Sequence, residues 1–134
     1  MTWKQTFSIG LLSSLLGATA CLVYAQIYTQ AFGTDFSAIA GPANIIASVM
    51  IGCFLMALGY RTIMRWKGDK WLGWMNVIYC VFSYLSIIGV LGFNLPLETE
   101  SPEMFPGLMI PMHFFPVLSF LTVLPFYKLQ KQTT

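Results

Sequence analysis

The chain alternates long apolar runs with short polar interruptions. Runs free of Asp, Glu, Lys and Arg cover residues 7–28, 42–60, 71–93 and 105–127. At a rise of about 1.5 Å per residue, each run reaches about 28–35 Å as a helix, against a bilayer hydrocarbon core of about 30 Å. The pattern predicts four membrane-spanning helices in a single domain covering residues 1–134. Gly41-Pro42 opens the second run, and proline suits a first helical turn because its missing N–H would have no partner there.

The interruptions are polar in different ways. The connector before Gly41 carries one acid, Asp35, and no base. The stretch 61–70 holds Arg61, Arg65, Lys67 and Lys70, four of the chain's seven bases. The loop 94–103 carries Glu98, Glu100 and Glu103 among prolines, a composition that belongs in water. The tail after Tyr127 is polar.

With an even number of spans, Lys4, the 61–70 stretch, Lys128 and Lys131 fall on one side, which gathers every base in the chain. The positive-inside rule then places both termini in the cytoplasm. Trp3, Trp66, Trp71 and Trp74 lie near the same interface, where indole rings favour the headgroup level. The expected architecture is an all-α, up-down-up-down antiparallel bundle in a bacterial inner membrane, with sequential helices as neighbours.

Composition agrees with this reading: the chain is 57% hydrophobic and 9% charged, where soluble domains carry about 25% charged residues. Val23-Tyr24-Ala25 before Gln26 fits a signal cleavage site. The run is long for a signal core, so the segment is expected to stay as the first span. Cys21, Cys53 and Cys80 all lie in apolar runs and show no metal or redox spacing. The sparse, terminal bases exclude a nucleic-acid footprint.

Small residues predict where helices touch. They are Ser13, Gly17 and Cys21 on the first, Ser48 and Gly52 on the second, and Gly73, Asn76, Cys80 and Ser83 on the third. The fourth run holds Pro111, Pro116 and His113, the only ionisable imidazole in the chain. Pro116 removes the donor for the Met112 carbonyl, so a kink is expected beside that imidazole. His113 lies about 12 Å below the outer end of its helix, a depth at which it needs a partner.

Tyr24, Tyr28, Asn44, Ser48 and Tyr84 are the candidates to complete a polar pocket around His113. Two uses compete there: locking helix packing through an interhelical hydrogen bond, or holding a ligand or proton. Met109, Met112 and His113 form a softer set that suits Cu(I), or haem with a methionine or a second chain supplying the other axial ligand. Arg61, Arg65, Lys67 and Lys70 serve as topology determinants, with contact to anionic lipid or a cytoplasmic partner as the alternative.

In length and hydropathy the chain is similar to small four-helix bacterial inner-membrane proteins, the DoxX-like group included. That likeness implies the architecture and assigns no residue a role. The sequence therefore points first to a non-enzymatic lipid- or small-molecule-binding module or an accessory subunit of a membrane complex. A redox or metal-handling component comes second, and a small oligomeric transporter third. Its partners are the lipid bilayer and either further copies of itself or a larger membrane complex.

Overall fold

The computed structural model describes residues 1–96, 99 and 101–130, with backbone alone for 128–130. Glu98, Glu100 and Lys131, and the side chain of Lys128, lie outside the described residues. Every regular element described is helical. The order is α1 (Trp3–Phe32), α2 (Pro42–Trp66), a 3-10 turn (Asp69–Trp71), α3 (Leu72–Leu91), a second 3-10 turn (Pro102–Met104) and α4 (Phe105–Gln130). All four helices are long and apolar enough to cross a membrane.

Local chemistry sets the helix ends. Thr2 and Gln5 form a reciprocal capping box, so α1 starts ahead of its apolar run. Gly33 closes α1 at φ 68°, a left-handed conformation that glycine adopts without a Cβ penalty. Pro42 occupies the first turn of α2. α2 then continues through Arg61 and Arg65 to Trp66, so much of the basic stretch is helix rather than turn. Arginine is a good helix former, and a cation in the last turn opposes the negative end of the helix dipole. The turn itself is short and centres on Gly68 at φ 73°.

α1 is the organising helix. It packs along both α2 and α4, while α3 rests mainly on α4. Its inner face is made of small residues: Gly10, Ser13, Ser14, Gly17, Ala18 and Cys21 are all buried. Gly17 marks a point where α1 meets both α2 and α4. A Cβ there would lie 3.1 Å from Val49 of α2, 3.3 Å from the Ser119 hydroxyl and 3.5 Å from the Pro116 Cα of α4. Around this spine Ile9, Cys53, Ala57, Tyr60 and Phe120 are closed off almost completely. The connector between α1 and α2 docks through Phe36, whose ring meets Phe105 edge-on at 5.4 Å. In the same connector the Ser37 N–H and hydroxyl hold the Asp35 carboxyl below its ordinary pKa.

α3 departs from the expectation that sequential helices lie against each other. α2 and α3 share few contacts although a short connector joins them. Tyr79 of α3 holds them together, its hydroxyl donating to the Met56 carbonyl at 2.7 Å. Elsewhere the small residues of α2 leave a gap instead of a contact. A Cβ placed on Gly52 would meet nothing within 4 Å. The outer faces of the bundle are apolar: Ile51, Ile88, Leu91 and Phe126 are each more than 60% exposed. Water would not tolerate so broad an apolar surface, whereas lipid covers it at no cost.

Candidate ligand-binding cleft

The gap between α2 and α3 is a cleft of about 740 Å³, within the range of small-molecule sites. α4 forms its floor with Met109, Met112, His113, Pro116 and Val117, and Cys21 of α1 reaches in from behind. Ile39 and Ala40 of the first connector close one end. The walls are overwhelmingly apolar, and among the described residues no Asp, Glu, Lys or Arg lines them. Asn44, Ser48, Ser83 and His113 supply the polar groups along with Tyr79 and Cys21.

His113 belongs to this cleft through its own helix. Its Nδ1 lies 2.8 Å from the Met109 carbonyl one turn back. A carbonyl can only accept, so Nδ1 carries a proton and donates it there. In the tautomer that places its single proton on Nδ1, Nε2 keeps a lone pair that can accept a hydrogen bond or bind a metal. The backbone carbonyl of His113 accepts from the Ser83 hydroxyl at 2.7 Å, which ties α3 to the floor. Asn44 donates one of its two amide N–H groups to the Ile39 carbonyl at 3.2 Å, fixing the rim of the cleft.

The candidate residues divide between two places. His113, Asn44 and Ser48 line one cleft, and Met109 and Met112 line it with them. Tyr24, Tyr28 and Tyr84 lie elsewhere. The Tyr24 hydroxyl donates to the Gly107 carbonyl at 2.8 Å, and the Tyr28 hydroxyl to the Met104 carbonyl at 2.7 Å. Gly107 is the residue whose helical donor Pro111 removes, so Tyr24 satisfies a carbonyl that the proline orphaned. The Cys21 thiol, 3.8 Å from the Met112 carbonyl, faces the one orphaned by Pro116. Tyr84 is exposed and meets Phe114 edge-on at 5.1 Å.

Tyr79, Phe82 and Met56 were not among the expected pocket residues. Tyr79 does continue the small-residue stripe of α3, lying one turn before Ser83, which was its only legible signal. Among the described residues no three His, Cys, Asp or Glu side chains come together as a metal site. Comparison of the chain with protein-family models, curated proteins and solved structures finds no match.

Proposed function

We propose that this is an integral membrane protein that binds a lipid-like small molecule in the cleft between α2 and α3. Its helices alternate in direction, with both termini on the cytoplasmic side of a bacterial inner membrane. The order of partners along α1 and α4 supports the alternation. Cys21, Tyr24 and Tyr28 meet carbonyls of Met112, Gly107 and Met104, so one number rises as the other falls. Donors arriving at the carbonyls freed by Pro111 and Pro116 support a bend in α4 there.

The observation that carries the binding reading is the cleft itself: apolar walls, no fixed charge among the described residues, and a few polar groups on its floor and rim. An acyl or prenyl chain fits those walls. A polar end group can donate to Nε2 of His113 and meet the Asn44 amide. With no carboxylate, lysine or arginine among the described residues of the cleft, binding is better supported than acid–base catalysis.

The test is native mass spectrometry of gently purified protein with lipid extraction of the same sample. Wild-type protein should carry an apolar small molecule, and His113→Leu should weaken its retention about three- to tenfold, the value of one hydrogen bond. Wild-type protein that carries nothing and does not bind an added fluorescent fatty acid would remove the proposal.

One observation favours a second reading. Met109, Met112 and His113 all line the cleft, and the histidine's Nδ1 is the ring nitrogen engaged by the Met109 carbonyl. Such a set suits Cu(I). Metal analysis after reconstitution with Cu(I) should find about one equivalent, lost in Met109→Leu; no bound copper in the wild type ends this alternative.

A further inference from the structure

A second cavity, of about 550 Å³, lies where the start of α1 meets the end of α2. Arg61, Arg65, Thr62 and Leu58 line it together with the indoles of Trp3 and Trp66. Arg61 is unusual for a cation near a helix end: it is only 7% exposed. Its guanidinium carbon lies 3.4 Å from the centre of the Trp3 ring, a cation–π contact. Its Nη1 is shut from solvent and has no hydrogen-bond partner among the described residues.

A buried guanidinium with an unpaired nitrogen is costly, and the ring face offsets only part of that cost. Arg65 stands one helical turn further on, and two like charges at that spacing repel. The Thr62 hydroxyl donates to the Leu58 carbonyl at 2.9 Å and does not answer either charge. Both cations and the cavity they line with the indoles call for the same thing, an oxyanion. Guanidinium groups match phosphate oxygens through their planar fork of N–H donors. Two exposed tryptophans beside the site suit the headgroup level of a bilayer.

We infer that this cavity binds a phosphate-bearing anion, either the headgroup of an acidic phospholipid or free phosphate. It is separate in residues and chemistry from the apolar cleft, and it stands whether or not the cleft holds a ligand.

Native mass spectrometry of the full chain in a zwitterionic detergent provides the test. Phosphatidylglycerol and phosphatidylcholine with identical tails are added separately, and inorganic phosphate is added as competitor. The wild type should retain phosphatidylglycerol about tenfold better than phosphatidylcholine, or be stabilised thermally by phosphate over chloride at equal ionic strength. Arg61→Gln should abolish either preference. Should that variant fail to fold, Arg65→Gln, altered at an exposed side chain, should reduce the preference severalfold. Phosphatidylglycerol held against excess phosphate identifies the lipid headgroup as the source; displacement by phosphate identifies the free anion. Equal retention of the two lipids with no phosphate effect would overturn the proposal. So would a preference that survives unchanged in Arg65→Gln.

Discussion

At the scale of single residues, the polar side chains of this bundle act mainly on backbone. Tyr24, Tyr28, Tyr79, Ser83 and His113 each address a carbonyl oxygen, and four of the five reach beyond their own helix. In an apolar medium an unpaired carbonyl has no water to turn to, so such bonds decide which helices may approach. Tyr24 and Pro111 should therefore be coupled. Tyr24→Phe leaves the Gly107 carbonyl without its donor and should destabilise the protein by about 1–3 kcal/mol. Pro111→Ala restores a helical N–H to that carbonyl, so in its background Tyr24→Phe should cost much less. A double-mutant cycle on thermal stability in detergent measures this; strictly additive losses would show that the two residues act independently.

At the scale of elements, two glycines that look alike in the sequence have opposite surroundings. Gly17 sits where α1 meets both α2 and α4, and Gly52 faces the open cleft. Gly17→Val should force the helices apart and cost about 1–3 kcal/mol or more through overpacking. Gly52→Leu should leave stability unchanged or raise it by about 0.5–1 kcal/mol, because glycine is a poor helix former. The same Gly52→Leu side chain should fill part of the cleft and reduce retention of an added fatty acid. Melting curves and binding on the two purified variants separate packing from vacancy. If both lose stability alike, the cleft closes in solution and the gap between α2 and α3 does not persist.

At the scale of the whole molecule, α3 is the helix least enclosed by its neighbours and borders the cleft along one side. On the proposed binding reading, that side is where a lipid-like molecule would enter from the bilayer. The charge distribution makes a separate statement about orientation. Compartment-sensitive reporters fused to each terminus should both read cytoplasmic, and opposite readings would remove the even-span topology. Moving the bases of the 61–70 stretch to the first connector should weaken that preference, since Lys and Arg near span ends set orientation.

The sequence by itself determined the number of helices, their approximate extents and the small-residue face of α1. Hydrophobic length and local caps are one-dimensional properties, readable without neighbours. Ser13, Gly17 and Cys21 repeat every fourth residue, and helical geometry alone puts them on one side. Half of the candidate pocket was also legible, because a lone histidine beside two prolines must find company. Only the tertiary structure decided what that company is. Tyr24 turns to an α4 carbonyl and Tyr28 to one in the 3-10 turn ahead of α4, Tyr84 turns outward, and Tyr79 enters the cleft. Small residues on α2 could equally well mark a contact or a gap, since glycine permits close approach without compelling it. Which of the two occurs depends on how α1 and α4 share their surfaces with α2 and α3, a three-dimensional competition that no single helix encodes.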